Sequence, residues 1–213
     1  VKIHTRIIQI TDTPNNCDKE VTRANNRQNR IENRDFVSQD PEQIRIRTEL
    51  LIEGIDYSIM RSETFRNGEK SFELTEATVS LACASEKTAL AVQAKGGIGK
   101  FFENLERGIY KELFNKSISG YFVYNAVKTV RKIDYIINSK ISNLGQRTGR
   151  DYGILVHGNR IIALIVIKKL SLKSQLSNPD YEVNEEELQT SIDSTVIEIT
   201  NKLQSSYPDS ILG

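Results

Sequence analysis

Along residues 1–11 (VKIHTRIIQIT) apolar and polar positions partly alternate, with Val1, Ile3 and Thr5 on one face, which predicts a β-strand. Thr13-Pro14-Asn15-Asn16 is a turn cluster. Asp18 is placed to N-cap a polar helix running to Gln28, with Val21 and Ala24 as its apolar contacts. Residues 29–39 read as an irregular connection held by Ile31, Phe36 and Val37. A clear helix start follows: Asp40 as N-cap, Pro41 at the first helical position, and Gln43 completing a capping-box pattern. Ile44, Leu51 and Ile55 fall near one face with Leu50 beside them, and Gly54 marks the helix end.

Tyr57-Ser58-Ile59-Met60 reads as a short strand and Arg66-Asn67-Gly68-Glu69 as a turn, since Asn-Gly suits a tight reversal with positive φ. From Leu74 onward the pattern is helical. Thr75–Ser85, Lys87–Ala94, Phe101–Leu105 and Tyr110–Phe114 are predicted as short helices broken by glycines. Tyr121–Lys140 is a longer helix with Val123, Val127, Val130, Asp134 and Ile137 near one face, so that one charge interrupts an apolar stripe. Ile154–Leu172 is a helix or long apolar element, Asn178-Pro179-Asp180 a turn, and Glu185–Leu203 a closing helix with Leu188, Ile192, Val196 and Ile199 at helical spacing. The order predicts an α+β, predominantly α-helical chain: a small α/β part over 1–72, then a helical region over 73–213.

Composition narrows the class. Cys17 and Cys83 form no CxxC pair and read as small buried hydrophobes, so the expected compartment is the reducing cytoplasm. His4 and His157, the only histidines, offer little for a zinc site. The most apolar run, 161–167 (IIALIVI), is far shorter than the roughly 20 residues a membrane span needs, and reads as a buried strand or core helix. The chain begins with Val1 and enters a strand pattern at once, as an excerpt from a longer protein would.

Charge changes the picture more. The net charge of +1 conceals 15 Lys and Arg against 5 Asp and Glu over 95–173, and 7 acids with no base over 180–198. Such a basic block is either a phosphate-binding face or the counterpart of an acidic segment that folds back on it.

Candidate chemistry is sparse. Asn25-Asn26-Arg27-Gln28-Asn29-Arg30 interleaves amides with arginines, which can read base edges or cap helix carbonyls. Arg34 and Asp35 are adjacent and point apart in a regular element; Tyr57, Arg61 and Glu63 share a face if their stretch is a strand. Candidate binding residues are therefore Asn25, Asn26, Gln28, Asn29, Arg34, Asp35, Tyr57, Arg61 and Glu63. Tyr121, Tyr124 and Tyr135 lie near basic residues and could stack bases or fill the core. Gln93-Ala94-Lys95 has the spacing of a metal-dependent nuclease strand end, but 86–92 lacks the Asp and reads as helix. Gly96-Gly97-Ile98-Gly99-Lys100 lacks the spacing and the Ser or Thr of a phosphate loop. No complete catalytic set and no cofactor motif emerges.

Asn26-Arg27-Gln28-Asn29, Arg34-Asp35-Phe36, Asp40-Pro41-Glu42-Gln43, Gly54, Tyr57 and Met60-Arg61-Ser62-Glu63 together resemble the signature of the bacterial abortive-infection phage-resistance (AIPR) family. Met60 stands where that family usually has a basic residue, and Ser62 where it has Gly. The later helices are similar in order and hydrophobicity, including Ala91 after Lys87-Thr88 and the pair Phe101-Phe102, so the resemblance spans most of 1–172. The acidic end, 180–213, has no counterpart. The resemblance implies phage defence and contact with DNA or RNA by a non-catalytic portion of the parent protein. Any nuclease would lie in an upstream region. A helical interaction or homo-oligomerisation domain, built on 161–167 and 185–203, is the alternative, and a magnesium-dependent nuclease using Gln93 and Lys95 a third reading.

Overall fold

A computed structural model describes residues 33–60, 68–145 and 147–207, with the backbone alone at 33–35. The strand expected over 1–11, the turn at 13–16 and the helix over 18–28 lie outside the described residues, as do Arg66 and Asn67 of the expected turn.

A 3₁₀ turn, Asn33–Gln39, leads into helix α1, Pro41–Ile52. Asp40 caps it from an extended backbone, its Oδ1 accepting from the Glu42 amide at 3.4 Å. Gln43 does not close the capping box: its amide oxygen accepts the Tyr57 hydroxyl at 2.7 Å inside the core. The inward face of α1 is therefore Gln43, Ile46 and Leu50, whereas Ile44 and Leu51, expected inside, are 50% and 69% exposed. Both faces have helical spacing, and the Asp40 and Gln43 side-chain bonds decide between them. The helix ends as a Schellman motif. Gly54 has φ +69°, its amide donates to Leu51, and the Ile55 amide donates back to Leu50 at 2.9 Å.

Strand β1, Asp56–Ser58, pairs with β2, Ser71–Glu73, in parallel, with Tyr57 opposite Phe72. Parallel strands cannot be joined by a tight hairpin turn, so the two are not a β-hairpin. Helices α2 (Leu74–Ala84), α3 (Thr88–Gly96) and α4 (Ile109–Leu113) follow, then α5 (Gly120–Asn143), α6 (Arg150–Lys169) and α7 (Glu185–Ser206). The stretch expected as a helix over 101–105 is instead a 3₁₀ turn, Ile98–Phe102, that buries both Phe101 and Phe102. After it, Asn104 Oδ1 accepts the amides of Glu106 and Arg107 and holds a turn. The described residues thus form a predominantly helical α+β fold.

Among the described residues two apolar clusters make the core. One joins Val37, Ile46, Tyr57 and Phe72 to Leu81, Phe101, Tyr110 and the first half of α5, and so includes residues from both sides of position 72. The other joins Val130, Ile133, Ile136 and Ile137 to α6 and α7. At about 1.5 Å per residue, the length of α5 lets one helix serve both. The run 161–167 is helical, and Ile162, Ala163, Leu164, Val166 and Ile167 are buried in it. Asp134, the charge on the apolar stripe of α5, meets Arg160 of α6 at 2.7 and 3.0 Å. Among the described residues no helix is long and apolar enough to cross a membrane.

Candidate nucleic-acid interface

Of the residues singled out for binding, Asn25, Asn26, Gln28, Asn29, Arg61 and Glu63 lie outside the described residues. Arg34 and Asp35 are on the 3₁₀ turn before α1, described by backbone alone. Tyr57 is the exception, and its place is structural. It is 1% exposed, its ring stacks on Phe72 at 4.8 Å, and its hydroxyl is engaged by Gln43. No ligand can reach that ring from β1 without opening the core.

Gln93 and Lys95 sit on α3, not at a strand end. Gln93 Nε2 donates to the Gly97 carbonyl, and Lys95 Nζ crosses to the Val156 carbonyl at 2.8 Å. No group of three or more His, Cys, Asp or Glu among the described residues is arranged to hold a metal ion. Cys83 is buried, and burial pushes its thiol up to about 12, which leaves it protonated and unreactive at neutral pH.

The basic block is where polar side chains gather. Lys128, Lys132 and Lys140 recur at four- and eight-residue intervals along α5, and Lys168 and Lys169 close α6. Lys128 is engaged by the Tyr181 carbonyl at 3.0 Å and lies 5.3 Å from the Tyr124 ring centre. Tyr124 itself is buried beside Phe72, and Tyr121 is half-buried beside Glu53. Of these three tyrosines, Tyr135 is the one that the fold leaves open: it is 62% exposed with the Lys132 ammonium 5.4 Å from its ring centre. A cation beside an exposed ring is a pairing that base stacking and phosphate contact both use.

The acidic segment does fold back on the block. Lys132 meets Glu185 at 2.6 Å, Lys169 meets Glu198 at 2.6 Å, and Lys140 pairs with Asp193. Burial pushes the Asp193 carboxyl up, but hydrogen bonds from Lys140 and Gln189 outweigh it and hold the group below the ordinary carboxylate value. The compensation is partial. Lys100, Arg107, Lys116, Arg147 and Lys168 are exposed and make no ion pair with the described residues.

A cavity of about 440 Å³ opens between the start of α6 and the end of α7, walled by Tyr152, Ile154, Ile161, Ile199 and Leu203 with His157 among its lining residues. Its walls are mostly apolar, and it marks a stretch where the two helices are incompletely packed. The basic and acidic blocks could be read from the sequence. Which lysine meets which acid could not, because that depends on helix registers set by the core.

No protein-family model, no curated protein and no solved structure matches this chain. The family resemblance therefore rests on the motifs quoted above.

Proposed function

We propose that this chain is a non-catalytic portion of a bacterial abortive-infection phage-defence protein, acting in the cytoplasm. In this reading it contributes nucleic-acid binding or regulation to a nuclease carried elsewhere in the parent chain. The observation that carries the binding part is exposed Tyr135 beside Lys132 on α5, with Arg147 just before α6 and Lys168 at its end as exposed cations that make no ion pair with the described residues. The amide-and-arginine motif of 25–63 supports the family assignment. Such a surface binds through the phosphate backbone, with bases free to stack.

The test is fluorescence anisotropy of a labelled 20-nucleotide DNA, and of the matching RNA, titrated with the 213-residue chain. Binding is expected at low salt, with log Kd rising against log salt with a slope of roughly 2 to 4. No binding at the lowest salt overturns the reading.

A second reading, a helical interaction or homo-oligomerisation domain, needs a different surface from the one the sequence suggested. The 161–167 run is inside the core, and Leu188 and Ile192 of α7 are buried against it. Ile44, Leu51 and Ile52, the last 78% exposed, form the apolar face of α1 that favours this reading. Sedimentation velocity checks it: a concentration-dependent dimer that Leu51→Glu abolishes supports it, and a monomer at high concentration removes it.

A further inference from the structure

We infer that α7 is an intramolecular stand-in for a phosphate backbone, seated on a lysine edge of α5 and α6 that takes up nucleic acid when the acids of α7 are neutralised or displaced. The inference rests on the nucleic-acid reading above and adds to it the regulated part of the surface.

Three observations carry it. The first is register. Lys132 and Lys140 are eight residues apart on α5, and their partners Glu185 and Asp193 are eight apart on α7. Equal spacing at about 1.5 Å per residue means the two helices run side by side in matching register, about 12 Å between rungs. Lys169 of α6 supplies a third rung to Glu198, with its ammonium also near the Ser194 hydroxyl. The three anions fall eight and then five residues apart along one rod, each facing an ammonium, and a phosphate strand would present anions to the same lysines.

The second is how unevenly α7 is seated. Leu188 and Ile192 are fully buried and pin its first half. Beyond them the inner face carries Thr195 and half-buried Val196, then half-buried Ile199 and Leu203, which line the 440 Å³ cavity. The Ser191 and Thr195 hydroxyls are buried without a hydrogen-bond partner among the described residues. Unsatisfied hydroxyls and an open cavity weaken a helix interface. One of the three rungs, Lys169, pairs with a residue of this second half, Glu198, so lifting it alone uncovers that lysine, and Asp193, next to Ile192, follows only when the first half also moves.

The third is a fixed hinge. The segment before α7 is tied to α5: Asn125 Nδ2 donates to the carbonyls of Leu176 and Asn178 at 2.9 and 2.8 Å, Lys128 donates to the Tyr181 carbonyl, and the Tyr181 and Thr129 hydroxyls are 2.9 Å apart. Displacement of α7 therefore leaves its root in place.

The experiment compares two triple variants with identical net charge. One is Glu185→Gln, Asp193→Asn, Glu198→Gln. The other is Asp56→Asn, Glu73→Gln, Glu106→Gln, which removes exposed acids away from α7. In anisotropy titrations with the labelled DNA, the α7 triple is expected to bind about tenfold more tightly and to steepen the salt slope by roughly 2 to 3, the value for three freed cations. The control triple should change Kd by less than about threefold, as a diffuse change in net charge does when salt screens it. Adding Lys132→Gln, Lys140→Gln and Lys169→Gln to the α7 triple should return the affinity to that of the starting chain. Should the triple lose helicity by circular dichroism, Glu198→Gln alone, at a side chain 63% exposed, is expected to steepen the slope by about one. Equal effects of the two triples, or no reversal by the lysine replacements, overturn the inference while leaving the nucleic-acid reading in place. Absence of binding by the starting chain and every variant overturns both.

Discussion

Replacing Asp40 by alanine is expected to destabilise the fold by about 3 to 5 kcal/mol, the range for removing one partner of a buried charged network. Three contacts converge on this carboxylate. It caps α1, accepts the Tyr110 hydroxyl at 2.5 Å, and pairs with Lys111 at 2.9 Å. Asp40 is 8% exposed and Tyr110 is fully buried, so truncation leaves a buried phenol without its acceptor as well as an uncapped helix. Asp40→Asn keeps one oxygen for the cap and turns its Nδ2 toward the Tyr110 hydroxyl, which can then accept instead of donate, and is expected to cost about half as much. Urea unfolding followed by circular dichroism measures both, and a loss below about 1 kcal/mol for the alanine variant would show that the network is dispensable.

The same network sets an alkaline limit. Burial, and then the Asp40 hydrogen bond, push the Tyr110 hydroxyl well above its ordinary value of 10.0. Burial also raises the Tyr124 and Tyr181 hydroxyls above that value. The folded state keeps these protons while the unfolded chain releases them. The stabilisation is therefore complete below the unfolded value and declines as pH rises above about 10. Tyr110→Phe should flatten that decline in a pH series of unfolding midpoints, at the expense of the Asp40 contact.

How much of this was legible in the sequence depended on whether the signal was local. Asp40-Pro41 and Gly54 bracket α1 because capping and positive φ are decided within a few residues. The long periodic stretches that became α5, α6 and α7 were legible for the same reason. The inward face of α1 was not, because Gln43 competes with Ile44 for the core only once Tyr57 arrives to bind it. The parallel pairing of β1 and β2, and Arg160 as partner to Asp134 from 26 residues away, depend on packing that no local pattern encodes. For the candidate site, the opposed charge blocks were visible and their rung-by-rung pairing was not. Tyr57, a candidate binding residue on a strand face with Arg61 and Glu63, is buried, its ring stacked on Phe72 of the paired strand and its hydroxyl held by Gln43.

Non-local dependence of this kind is greatest at Arg131, and its replacement by alanine is expected to lower stability by about 2 to 4 kcal/mol. The guanidinium meets both oxygens of Glu76, at 2.6 and 2.7 Å, and donates to the carbonyls of Ser71, Gly68 and Glu69 at 2.7, 3.2 and 3.2 Å. One side chain on α5 thereby fixes the start of α2 and the approach to β2, whose only strand partner among the described residues is β1. A two-stranded sheet has little stability of its own, so its position depends on such ties. Lysine cannot replace the fork, because a single ammonium reaches fewer of these acceptors. Arg131→Lys should therefore recover less than half of the loss, and Glu76→Gln, which leaves the three carbonyl contacts, should cost about 1 kcal/mol. Hydrogen exchange distinguishes a local from a global effect: the amides of 68–73 should lose protection in Arg131→Ala before those of α6 do. Uniform loss of protection across both would show that Arg131 supports the whole core rather than the sheet alone.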